Sequence, residues 1–119
     1  MKAIRIAAVT GFLAVALGAF GAHGLKDLLE RHGTVAIWHT AVLYHLVHAV
    51  VLLLLSTRPG KACSGTYWFF LAGITVFSGS LYLLSVTNLK WLGAITPVGG
   101  VCFLAGWFVL ALKGFAKEE

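Results

Sequence analysis

Four apolar stretches without a charged side chain, at about 6–22, 35–56, 66–86 and 92–112, take up most of this 119-residue chain. About 20 helical residues cross the ~30 Å hydrocarbon core of a bilayer, and each stretch meets or nearly meets that length. Inside lipid the backbone has no water to bond to, and a helix satisfies its N–H and C=O groups within its own segment. The pattern predicts an all-α integral membrane protein. We read a single domain over 1–119, an up-down four-helix bundle with spans at about 4–23, 35–56, 66–86 and 92–112.

Composition bounds the function classes. Hydrophobic residues make up 60% of the chain and charged residues 11%, too little polar surface for a soluble domain of this size. All four acids, Asp27, Glu30, Glu118 and Glu119, lie outside the apolar stretches. A charge at a helix centre costs at least ~2.5–3.5 kcal/mol on insertion scales, and ion-coupled transporters carry one as their usual sign. The net charge of +5 reads as membrane topology and not as a nucleic-acid footprint, because the basic residues are scattered at segment ends. With the N-terminus inside, Lys2, Arg5, Arg58, Lys61, Lys113 and Lys117 fall on the inner side, and Lys26, Arg31 and Lys90 on the outer. The positive-inside rule then places both termini in the cytoplasm.

Lys2 and Arg5, the apolar run and Ala19-Phe20-Gly21-Ala22 also imitate a secretory signal peptide with a small-residue cleavage site. Keeping the segment makes the helix number even and the charge count consistent, so we read it as the first span. Cys63 in the inner loop and Cys102 about ten residues into the fourth span sit at different depths, which excludes a disulfide between them.

Between the first two spans, Leu25, Leu28 and Leu29 share one face of a short amphipathic helix at about 25–32, stopped by Gly33 and lying on the outer surface. Small residues Ala7, Gly11, Ala14, Gly18 and Gly21 form a stripe on the first span that is expected to face the bundle, since close backbone approach drives helix association in lipid. Gly65, Ala72 and Gly79 repeat the pattern more weakly on the third span, and Gly99 and Gly106 on the fourth. Trp38 and Trp91 near the outer interface, with Trp68 and Trp107 near the inner one, read as an aromatic belt. Thr96-Pro97 is either an N-cap with its first helical residue or a kink in a helix that begins at Leu92; we favour the kink.

Five histidines ask for an account in so apolar a chain. His32, in the outer loop, needs none. At about 100° per residue, His45 and His48 lie about 60° apart on the second span while His39 lies opposite His48, so the three make no single metal site. Counting depth from the outer interface sets His45 level with Ser80, and His48 level with Phe77 or Ser78. The candidate polar pocket is His23, Tyr44, His45, His48, Ser78, Ser80, Tyr82 and Thr96. Its two accounts are interhelical hydrogen bonding that fixes register and a polar pocket or proton path in the outer half of the bundle. The sequence holds no HExxH, no CxxC and no catalytic constellation, and we assign no catalytic residue, no metal and no cofactor.

The segments Gly18-Ala19-Phe20-Gly21-Ala22-His23-Gly24-Leu25, Trp38-His39-Thr40-Ala41 with Tyr44-His45 and His48-Ala49, Phe77-Ser78-Gly79-Ser80-Leu81-Tyr82, Ile95-Thr96-Pro97-Val98-Gly99-Gly100 and Gly106-Trp107 together resemble the YgdD-like family of small membrane proteins, domain of unknown function 423. They are also similar to the eukaryotic transmembrane protein 256. The resemblance covers nearly the whole chain. It implies a four-helix bacterial inner-membrane protein without an established activity and supplies no catalytic residues. We therefore expect a non-enzymatic membrane component that binds membrane lipid, another membrane protein or a second copy of itself. The alternatives are a small oligomeric channel or transporter using the outer-half pocket, and a haem or metal protein using His23 and His39.

Overall fold

A computed structural model describes residues 2–58 and 61–114, and of residues 61–63 the backbone alone. The elements are α1 (Lys2–Ala22), α2 (Lys26–His32), α3 (Val35–Ser56), α4 (Lys61–Gly73), a π-helical segment (Ile74–Ser78), α5 (Gly79–Thr87), a 3-10 turn (Lys90–Ala94) and α6 (Thr96–Lys113). No strand occurs among the described residues. Four runs are long and apolar enough to cross a membrane: Lys2–Ala22, Val35–Ser56, Ser64–Thr87 and Lys90–Lys113. The fold is the all-α membrane bundle expected. Arg58-Pro59-Gly60-Lys61, whose Pro-Gly pair predicts a turn, lies partly outside the described residues. Cys63 sits in α4 and not in a loop, because the helix already begins at Lys61.

The spans pack in the order α1, α3, α4–α5, α6: α1 lies on α3, and α6 lies on α4 and the π segment. The buried cluster toward one end of the bundle is Ala7, Leu52, Leu55, Tyr67, Phe70, Ile74 and Phe103. Large apolar side chains such as Phe12, Val50, Leu83, Leu104 and Phe108 point outward, as spans bathed in lipid require.

Small residues decide how closely the spans approach. On α1, Ala7, Ala14 and Gly21 are buried, so the stripe faces α3. Gly21 lies against the Trp38 indole, and a Cβ on Gly18 would sit 3.4 Å from Val42 Cγ1. On the third span the expectation fails. Gly65 and Ala72 are exposed, and a Cβ added at Gly65 or Gly79 would meet nothing within 4 Å. The physical reason is that α4 presents large rings, Tyr67 and Phe70, to its neighbours, and the recesses lie opposite, on α6. A Cβ on Gly106 would come 2.7 Å from Phe70 Cε1, and one on Gly99 2.7 Å from the Phe77 Cα in the π segment. Only Gly73 plays the small partner on the third span, under the Phe103 ring.

The fourth span settles both readings of Thr96-Pro97. A 3-10 turn from Lys90 leads into α6, which starts at Thr96 with Pro97 in its first turn. Thr96 is not the N-cap; Ile95 is, and it makes no side-chain cap bond. The surface helix is present: Leu29 is buried beneath α2, and Gly33 ends it with a left-handed φ of 68°, which costs glycine no Cβ clash.

Candidate functional site

The polar groups expected to form one pocket are divided among several separate contacts. His45 is buried, with Nδ1 2.8 Å from the Tyr82 hydroxyl of α5, and its ring also lies against the Thr10 carbonyl of α1. His48 is buried one turn further along α3. Its Nδ1 donates to the Tyr44 carbonyl at 2.7 Å, so its Nε2 is the acceptor for the Trp107 indole N–H at 3.0 Å. With a carbonyl on one nitrogen and a donor on the other, both ring positions are used in one neutral tautomer. The ring stacks on Phe103, centroids 3.9 Å apart. Depth counting pointed His48 at the third span; its partner is instead on α6, because α6 lies over the π segment and meets the face of α3 that carries His48.

The serines bond elsewhere. Ser78 donates to the Ala41 carbonyl of α3 at 2.8 Å, tying the π segment to that span. Ser80 and Thr96 hydroxyls lie 2.6 Å apart and join α5 to α6. His23 follows the end of α1 and is exposed, in a shallow depression with Ala16, Phe20 and Gly24, apart from the other residues. His39 is exposed. Among the described residues no group of three or more histidine, cysteine and acidic side chains is placed to hold a metal ion.

Sequence reasoning missed three residues. His32 Nδ1 and Thr34 Oγ1 both donate to the Ser85 carbonyl, at 3.0 and 2.9 Å. That carbonyl lies in the last turn of α5, where helical partners run out, so the two side chains cap one span from the segment beside another. Trp38, read as a belt residue, is 2% exposed and donates its indole N–H to the Leu17 carbonyl of α1 at 2.9 Å. A glycine at Gly21 beside a tryptophan at the start of the next span was the available signal for that contact.

One concavity faces lipid at mid-depth. Between α3 and α6 a groove of about 470 Å³ is walled by Tyr44, His48, Phe77, Phe103, Trp107 and the small Gly100. Tyr44 stands 40% exposed, with its ring 4.7 Å from that of Phe77. Its hydroxyl bonds to no group among the described residues.

Four apolar spans joined by single hydrogen bonds and aromatic contacts define a small polytopic membrane protein whose intramembrane polar groups bond from one helix to another. The chain belongs to the family described as protein of unknown function (DUF423), whose model matches residues 17–100. It is 43% identical over 114 residues to the UPF0382 membrane protein YwdK of Bacillus subtilis, covering 92% of each chain. It is also 43% identical over 114 residues to a UPF0382 membrane protein of Staphylococcus epidermidis, covering 92% of this chain and 91% of the relative. No solved structure matches it.

Proposed function

We propose that the protein is a non-enzymatic component of the bacterial plasma membrane, with both termini cytoplasmic, that holds a membrane lipid in the α3–α6 groove. Another membrane protein or a second copy of the chain is the other class of occupant such a surface admits, and nucleic acid is not a partner. The observation that carries the reading is the Tyr44 hydroxyl, unpartnered on the wall of an aromatic groove at a depth where water is scarce. A polar group left unpaired in hydrocarbon costs free energy, which a lipid ester or hydroxyl offsets by bonding to it. The groove volume of about 470 Å³ falls within the ~300–1,000 Å³ usual for small-molecule sites. The serines support a non-enzymatic reading: Ser78 donates to a carbonyl oxygen, which takes no proton, and Ser80 pairs with another hydroxyl, so neither is activated as a nucleophile.

The test uses a phospholipid carrying a diazirine on one acyl chain, photolysed with the protein in nanodiscs. Adducts should concentrate on Tyr44, Val101 and Leu104. They should fall severalfold in Gly100→Leu, which narrows the groove at a position where a Cβ meets only the Phe77 ring at 3.9 Å. Adducts spread evenly over exposed Val15, Leu53 and Phe108, unchanged by Gly100→Leu, would refute the groove as a lipid site.

A further inference from the structure

The depth and the walls of the α3–α6 groove narrow the chemistry of what it holds. Tyr44 is well inside the 22-residue helix Val35–Ser56, on the order of 15 Å from either end at ~1.5 Å per residue. A phospholipid ester reaches that level only if its headgroup is drawn below the edge of the ~30 Å hydrocarbon core. A carbonyl set on an apolar ring and tail reaches it without that cost. The walls are rings. Tyr44, His48 and Phe103 lie within 24° of parallel, and Phe77 and Trp107 tilt across them. Such faces and edges give another planar ring offset-stacked and edge-to-face contacts. An acyl chain takes from them only the dispersion that leucine or valine would supply. Gly100 keeps the floor open, since a Cβ there would meet only Phe77 Cδ2, at 3.9 Å.

We propose, on the reading of this groove as a lipid site, that the lipid it holds is a prenylated quinone. The Tyr44 hydroxyl donates to a ring carbonyl, the aromatic walls take the ring, and the isoprenoid tail leaves along exposed Val101 and Leu104 of α6. His48, on the same wall, has no free lone pair: Nδ1 donates to the Tyr44 carbonyl and Nε2 accepts from the Trp107 indole. It is thus not available as a base to take a proton from a reduced ring. The groove holds the quinone and does not oxidise or reduce it, in keeping with a non-enzymatic component.

The experiment repeats the diazirine-phospholipid photolabelling of the full chain in nanodiscs, now with phylloquinone or phytane added at equal mole fraction. Phytane has the saturated tail hydrocarbon without the ring. Adducts are counted relative to those on Val15, Leu53 and Phe108, which cancels light absorbed by the quinone. Phylloquinone should lower the adducts on Val101 and Leu104 severalfold, and phytane should not. Tyr44→Phe should keep both adducts when no quinone is present, which shows the groove intact. It should then need about tenfold more phylloquinone for the same displacement, the scale of one net hydrogen bond. Groove adducts that phylloquinone leaves in place would overturn the quinone assignment while the groove stands as a site for acyl lipid. Equal displacement by phytane would also overturn it, because the tail alone would be recognised. So would a Tyr44→Phe response equal to wild type. Labelling that never concentrates in the groove would remove the lipid site itself, and the quinone with it.

Discussion

Gly99 has less room than its place in a lipid-exposed helix suggests. Its missing side chain faces the backbone of Phe77, which cannot swing aside as a flexible side chain would. Gly99→Ala is therefore expected to destabilise by about 1–3 kcal/mol, the usual cost of forcing a methyl into a filled contact. Gly11→Ala is its control: nothing lies within 4 Å of the added Cβ, so the substitution should be neutral or stabilising by up to ~1 kcal/mol through helix propensity. Thermal unfolding in detergent reads both, and a Gly99→Ala melting temperature equal to wild type would show the contact to be slack. The value of Gly99 and Gly106 was legible in the sequence as a spaced pair of small residues. Gly73 was not, because nothing local says that a phenylalanine thirty residues on will lie over it. The same limit hid the partner of His48. Helical periodicity gave the face of α3 on which His48 sits, but which span lies opposite that face depends on tertiary packing.

At the scale of elements, α2 was readable because Leu25, Leu28 and Leu29 recur at helical spacing and Gly33 follows. What holds it down was not, since His32 and Thr34 look like ordinary loop residues until the end of α5 is brought beside them. Replacing both, His32→Phe with Thr34→Val, leaves the Ser85 carbonyl without its side-chain donors. The expected result is a local loosening of about 1–2 kcal/mol, seen as faster hydrogen exchange across 26–33 while amides in the middle of α3 keep their protection. Equal acceleration in both regions would mean that the contact supports the whole bundle. The π segment was invisible for a different reason. Ile74-Thr75-Val76-Phe77-Ser78 has the composition of any apolar span; only the widened turn sets it apart, and the close approach of Gly99 and the Ser78 bond to Ala41 are tertiary events.

For the molecule as a whole, Lys2, Arg5, Arg58, Lys61 and Lys113 belong to one end of the spans and Lys26, Arg31 and Lys90 to the other; Lys117 lies outside the described residues. Reporters active only in the cytoplasm, fused separately to each terminus, should both be active, and activity of only a reporter that works outside the membrane would reverse the orientation. Two hairpins meet along a junction where Leu52 and Leu55 of α3 share one buried cluster with Tyr67, Phe70 and Ile74. The α1–α3 hairpin and the α4–α6 hairpin are each closely packed, and the junction between them carries most of the long-range side-chain hydrogen bonds: His32 and Thr34 to Ser85, Ala41 to Ser78, His45 to Tyr82, His48 to Trp107 and Ala3 to Tyr67. Each such bond in a membrane averages only ~0.6 kcal/mol, and lipid supplies no hydrophobic drive to press the halves together. Damage along that junction would thus separate the intact hairpins and leave every helix standing. A spectrum that counts helical residues would look healthy on a protein that has come apart down the middle.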